Sequence, residues 1–488
     1  MRVQLCGAVF LCVGVWGGFV AGGETETKHK SVTWETLNQN GVALTTIGTL
    51  VTPHARDIVA SPWSVGCETL DRDYADFKAY KEFVGELGVK HARLQSGWAK
   101  TEKTKGVYDF AWLDAIVDGL KEQGVEPWIC LCYGNPLYKS NTGLGAELFT
   151  DEATMAGWTN YVAATVAQYK DTVTEWEIWN EPRHSADPEA YANLLIQTAR
   201  TIRKIQPDAT LMGFTVHGGF TGGALKFPRA VFGILQEKKA LDLLDYVTYH
   251  PYTPNPDAFY STMSQLEGLV KSYSPRLKLY QGESGCPATL LWAFAMCNLP
   301  WTEYSQAKWV ARRMAGDAAR GIRSSIFTII DVNYGFFLNE KGLIRADLKK
   351  QVVYRRPAYY AVRNMATFFD SAVRPTGLLA YESDTEREME VAGFRKDDKP
   401  LVLVWYKNSV PDSALQRDSI RLTIRNVVFN DPVYVDMITG KVYTLDADCV
   451  SVSHGNTTFS GLPMWDAPVL LAERGQVSFG SEKNTGEN

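Results

Sequence analysis

Two glutamates set the chemistry to consider first. The segment TEWEIWNEP, Thr174 to Pro182, is dense in Trp and Glu and ends in Asn180-Glu181-Pro182. A second run, LKLYQGESG from Leu277 to Gly285, places Glu283 just before a Ser284-Gly285 turn. Two carboxylates on opposite sides of one cleft are what cleavage of a glycosidic bond needs: one protonates the leaving oxygen, and the other stabilises or attacks the oxocarbenium-like carbon. Glu181 is the first candidate; alone it could also cap the next helix or pair with Arg183, so the weight rests on the pair. Glu175 and Glu177, lower on the first run, suit buried ion pairs better than reaction.

Further polar and aromatic side chains fall where β-rich runs end. Arg93 closes HARLQSGW, with Gln95 and Trp98 after it; Tyr133 follows the third run; His217 follows the fifth; His250 and Tyr252 close the sixth; Asp331 and Asn333 close the eighth. An Arg or Tyr donating to Glu283 would keep that carboxylate ionised, as a nucleophile requires. Trp98, Trp292 and Trp301 are candidates to stack on sugar faces, and each is equally suited to packing. No metal and no other cofactor is expected. His217, His250, Asp331 and the glutamates could meet in space, but neither HxH nor HExxH occurs, the cysteines lack CxxC pairing, and no Gly-rich phosphate or dinucleotide loop is present.

These residues need a scaffold that collects strand ends. From Ile58 to Asp370 short β-rich runs alternate with helical patterns, beginning near Ile58, Lys90, Val125, Thr174, Thr210, Asp245, Leu277 and Ser324. Eight strand-helix units predict a closed (β/α)8 barrel over 58–370, whose catalytic groups sit at the C-terminal strand ends. Strands four and seven then face each other across the mouth. The longest connections, Tyr133–Thr150 with Asn135 and Tyr138, and Ser284–Glu303 with Trp292 and Trp301, are expected to wall the cleft. Short β runs at 371–475 predict a small sandwich, to which the β segment at 23–57 adds strands. The polar tail 476–488 is expected to be disordered.

At 488 residues, 45% hydrophobic and 22% charged, the composition excludes fibrous, disordered and disulfide-scaffold classes. A net charge of −5 without a long basic run speaks against nucleic acid as a partner. Arg2, the apolar stretch Leu5–Val20 and the small residues Ala21 to Gly23 read as a signal peptide over 1–22, which implies a secreted or periplasmic chain with no membrane span once cleaved. Six cysteines then remain, with a Cys286–Cys297 bridge and free buried thiols as equal expectations. Oligomeric state leaves no mark that can be read.

WNEP with the later Glu283 resembles the retaining glycoside hydrolases of clan GH-A, a superfamily of TIM barrels. WAKTEKTKGVYDFAWLD, Trp98 to Asp114, is similar to the block after the second strand in several of those families. GLI from Gly342 and RRPAYYAVRNM from Arg355 resemble the barrel end of family thirty-nine, the β-xylosidase and iduronidase group. The resemblance implies Glu181 as general acid/base, Glu283 as nucleophile, Asn180 on the sugar 2-hydroxyl, and Arg93 and Tyr252 orienting the nucleophile. FTIIDVNYG, Phe327 to Gly335, lacks the Trp that many clan members carry there. The expectation is a secreted retaining β-glycosidase acting on oligo- or polysaccharides. A non-catalytic carbohydrate-binding barrel, a metal-dependent barrel hydrolase and a transglycosylase using the same residues are the alternatives.

Overall fold

A computed structural model describes residues 44–480. The apolar N-terminal stretch expected to be a signal peptide lies outside the described residues. Eight parallel strands close on themselves: Trp63–Gly66, His91–Gln95, Glu126–Leu131, Glu175–Ile178, Thr210–His217, Tyr246–His250, Lys278–Ser284 and Arg323–Ile326. The last pairs with the first through Trp63↔Ser324 and Val65↔Ile326. This is the (β/α)8 barrel that the alternating pattern predicts. Two strand limits differ. The first strand starts at Trp63 rather than Ile58, because Pro62 has no N–H to donate and the chain before it turns across the barrel end. The eighth ends at Ile326, so Asp331 lies beyond it and Asn333 falls in the hairpin Val332–Asn333 with Leu338–Asn339.

Helices cover the strands, most with one apolar face and Glu303–Ala319 buried almost throughout: Phe77–Glu86, Ala111–Glu122, Glu152–Tyr169, Pro188–Ile205, Lys226–Glu237, Phe259–Tyr273, Glu303–Ala319 and Pro357–Phe368. Their starts obey local chemistry. Asp76, Asp151 and Asp187 each accept a backbone N–H of the first turn, and Thr302 with Ser305 forms a capping box. Inside the barrel Trp128, Met212 and Tyr280 pack together, and Trp128 donates its indole N–H to Ser64 at 2.9 Å.

Two antiparallel sheets form the second module. The larger runs Arg374–Leu378, Met389–Lys396, Lys399–Tyr406, Val469–Glu473, Pro432–Asp436, Lys441–Thr444, Thr45–Leu50 and Phe479–Gly480; the smaller has Tyr381–Ser383, Asp418–Ile424, Asn456–Met464 and Val450–Ser453. Thr45–Leu50 therefore joins this module from the N-terminal side. The expected disorder from Gln476 onward is corrected as far as Gly480. Gln476 donates to the Lys396 carbonyl, Val477 is buried, and Phe479–Gly480 pairs with Thr49–Leu50. No Cys286–Cys297 bridge forms: all six cysteines of the described chain are free, with Cys286 buried. No helix of the described residues is long and apolar enough to cross a membrane.

The barrel and the sheets are joined by buried charge. Asp257 pairs with Arg312 of the helix Glu303–Ala319, and accepts Trp405 Nε1 and the Asn408 N–H, both at 3.2 Å. Asp257→Ala would leave the guanidinium of Arg312, 0% exposed, without its carboxylate. Urea unfolding of that variant is expected to show a loss of about 3–5 kcal/mol, the usual result of breaking a buried pair from one side.

Candidate active site

The fourth barrel strand leaves the barrel under strain. Trp179 has φ +67° and Glu181 φ +45°, left-handed values that cost non-glycine residues free energy and persist only where neighbours fix them. Here the Trp179 N–H donates to Leu131 O at 3.0 Å and the Glu181 N–H to Thr215 Oγ1 at 2.7 Å. Trp179 wedges between Phe149 and Trp158, 5.3 and 5.9 Å between ring centres. The result is a Glu181 side chain aimed into a cleft of about 640 Å³ at the C-terminal end of the barrel, with Glu283 on the facing wall.

Arg93, fully buried at the second strand, holds the floor of this cleft. Its guanidinium donates to Glu283 Oε2 at 2.9 Å, Glu68 Oε1 at 3.1 Å, Glu177 Oε2 at 3.0 Å and Asn180 Oδ1 at 2.8 Å. Tyr252 donates to the other oxygen of Glu283 at 2.6 Å, so both oxygens of that carboxylate are fixed. Asn180 in turn donates to the Tyr133 hydroxyl at 2.6 Å. Glu175 pairs with Arg323 at the base of the barrel and takes no part in the cleft.

His250 lies between the two acids. Its Nδ1 is 2.6 Å from Glu181 Oε1 and 3.9 Å from Glu283 Oε2. Burial alone would push Glu181 up, as expected of a catalytic acid. The hydrogen bond and charge of His250 outweigh that burial and hold Glu181 well below the ordinary carboxylate range. Burial likewise opposes charge on His250, but Glu283 and Glu181 overcome it and raise its pKa. Both shifts favour an ionised Glu181 beside a protonated His250. His217 differs: burial pushes it down to about 4, so it is neutral, and its Nε2 lies 3.0 Å from the Pro182 carbonyl as an N–H donor.

The structure brings Asn180, Glu181, Glu283, Tyr133, His217, His250 and Tyr252 together on the cleft wall with Arg93 beneath them. Five candidates lie elsewhere. Trp98, 0% exposed, donates to Glu102 at 2.5 Å and stacks between Tyr138 and Tyr161, which makes it core behind the cleft. Trp292, 65% exposed, packs edge-on against Phe337 outside the cleft. Asp331 is buried by a two-pronged pair with Arg356, and Asn333 ties its own hairpin to Leu348. Trp301 is also structural, donating to Met296 O within the long loop. The two long connections do reach the cleft, through Leu144 on one side and Phe294 and Met296 on the other.

Sequence reasoning missed Glu68, Arg72, Phe327 and Lys341. Glu68 lies just past the first strand, a position hidden by starting that strand at Ile58. Its carboxyl folds over Gly66, where a Cβ would come within 2.0 Å of Oε2. Lys341 and Phe327 sit in the irregular stretch after strand eight, which carries no periodicity to follow. For a metal, Glu181, His250 and Glu283 offer three ligand atoms within 4.8 Å of one another. The Arg93 charge already on Glu283 opposes a cation there.

Residues 67–278 match the family model described as glycosyl hydrolases family 39. Among solved structures the chain is similar to a family 39 glycoside hydrolase from the gut symbiont Bacteroides cellulosilyticus, with 19% identity and a TM-score of 0.61 over 87% of this chain and 83% of that one. It is also similar to a family 30 endoxylanase from Clostridium papyrosolvens, with 14% identity and a TM-score of 0.55 over 87% and 97% of the two chains. A family 51 α-L-arabinofuranosidase from Bifidobacterium longum gives 14% identity and a TM-score of 0.52 over 88% and 97%. At such identities the likeness to these structures is one of fold.

Burial, helped by the charge of Glu283, raises Glu68 from its ordinary 4.5 to about 7 against the pull of Arg93. Between those values the unfolded chain releases this proton while the folded one keeps it, so rising pH favours unfolding. Glu68→Gln is therefore expected to gain stability over the parent as pH rises from about 5 to about 8, by up to roughly 3 kcal/mol. Thermal unfolding at the two pH values measures it.

Proposed function

We propose that this chain, a glycoside hydrolase similar to those of family 39, cleaves β-glycosidic bonds of oligo- or polysaccharides with retention of configuration. Glu283 is the nucleophile and Glu181 the general acid/base. The observation that carries the reading is the spacing of the two acids: an oxygen of each lies within 4.8 Å of the other. Retaining enzymes hold their carboxyl groups about 5–5.5 Å apart, whereas inverting ones need about 6.5–9.5 Å to admit a water.

In the first step Glu283, held by Arg93 and Tyr252, attacks the anomeric carbon as the glycosidic bond breaks. The one proton of the Glu181–His250 pair passes through Glu181 to the leaving oxygen. In the second step Glu181 takes a proton from water, whose oxygen displaces Glu283 and restores the enzyme. Asn180, fixed by Arg93 and Tyr133, presents its amide to the sugar beside Glu283. Export is supported by the leader-like residues Arg2 to Gly23.

A screen of aryl β-glycosides and plant or algal polysaccharides tests the reading. Glu283→Ala is expected to lose turnover by about 10⁴-fold or more, since it removes the bond-forming group. Proton NMR of the first product released should show the substrate's own anomeric configuration. An inverted product, or unchanged turnover by the variant, overturns the assignment. Activity is also expected to be the same with and without excess chelator.

A further inference from the structure

Lys341 lies on the cleft wall and is 2% exposed. Its ammonium sits 4.9 Å from the centre of the Tyr252 ring, whose hydroxyl donates to Glu283. Among the described residues no carboxylate comes within 4.0 Å of that ammonium and no hydrogen bond holds it. The neighbouring cations are all engaged: Arg72 by Asp71 and Gln95, His250 by Glu181, and Arg93 by Glu68, Glu177 and Glu283. A buried ammonium without a partner is costly, and burial accordingly pushes Lys341 down to about 8 although Glu283 and Glu181 pull the other way. The cost falls on the wall of the substrate cleft, within one aromatic ring of the proposed nucleophile.

We propose that Lys341 recognises an anionic substituent, a carboxylate or a sulfate ester, on the sugar held between Glu181 and Glu283, so that the substrates are acidic saccharides. The proposal rests on the glycosidase reading and names its substrate class. An acidic sugar would bring a further negative charge beside Glu181 and Glu283, and only a cation at the wall makes that tolerable. Lys341 supplies that charge and three N–H donors, while a neutral sugar would leave the ammonium buried and uncompensated. Selectivity then comes from both sides, by attraction of the acidic ring and by the unpaired charge left by a neutral one.

The test compares p-nitrophenyl β-D-xyloside, β-D-glucoside, β-D-glucuronide and the glucoside sulfated on its primary hydroxyl, with the parent chain and Lys341→Met. The parent is expected to favour one of the two anionic substrates, and which one separates carboxylate from sulfate. Lys341→Met should lower kcat/KM on that substrate by about 30-fold or more, as loss of one partner of a buried charge pair does. On the neutral glycosides the loss should be at least about tenfold smaller. Its Tm should hold or rise, because an unpaired buried charge has been removed. Preference for a neutral glycoside, or an equal loss on all four with a lowered Tm, overturns the proposal and leaves the glycosidase reading standing. No turnover of any of the four or of the wider polysaccharide screen, with Glu283→Ala indistinguishable from the parent, overturns the glycosidase reading and this proposal with it.

Discussion

One guanidinium organises the mouth of this barrel. Arg93 is fully buried and touches Glu68, Glu177, Asn180 and Glu283, side chains from the first, fourth and seventh strand ends. Its single charge is shared among three carboxylates, and burial drives Glu68 toward the neutral form. Arg suits this place where Lys would not, because its planar fork serves several acceptors at fixed angles and keeps its charge in the interior. Removing any partner leaves the others over-attracted or unpaired, which makes the cluster rigid as a unit.

The same economy explains the strained turn after the fourth strand. Left-handed backbone at Trp179 and Glu181 would relax if free, but the indole of Trp179 is locked among Phe149, Trp158 and Tyr133. The aromatic cluster that includes Trp98 therefore acts on chemistry from a distance. Apart from Tyr133 it stands behind the cleft wall, yet it fixes the turn that aims Glu181. The abundance of tryptophan and tyrosine in this chain is in large part such scaffolding.

The barrel was legible because alternating helical and β-rich runs report directly on a repeating local pattern, and strand starts such as Thr210 fall where the pattern places them. The positions of Glu181 and Glu283 were legible for the same reason, since strand ends are where barrels gather functional groups. What could not be read is how each side chain turns once the strand stops. Trp98 and Asp331 share residue type and location with groups that line clefts, but one rotates into an aromatic core and the other into the grip of Arg356. The balance between burial and partners at Glu181 was equally hidden. It depends on His250, sixty-nine positions along the chain. Lys341 escaped for want of any local signature, because its isolation is a property of three-dimensional surroundings.

The pairing of Thr45–Leu50 with Lys441–Thr444 sets a timetable for how the molecule is made. Thr45 leaves the ribosome nearly four hundred residues ahead of Thr444, the residue it pairs with. At about 5–20 residues per second the early strand waits on the order of a minute, while every strand of the barrel has already emerged. Its edge is open to mispairing throughout that interval. All eight barrel strands are thus available for pairing before Thr45–Leu50 can meet its partner.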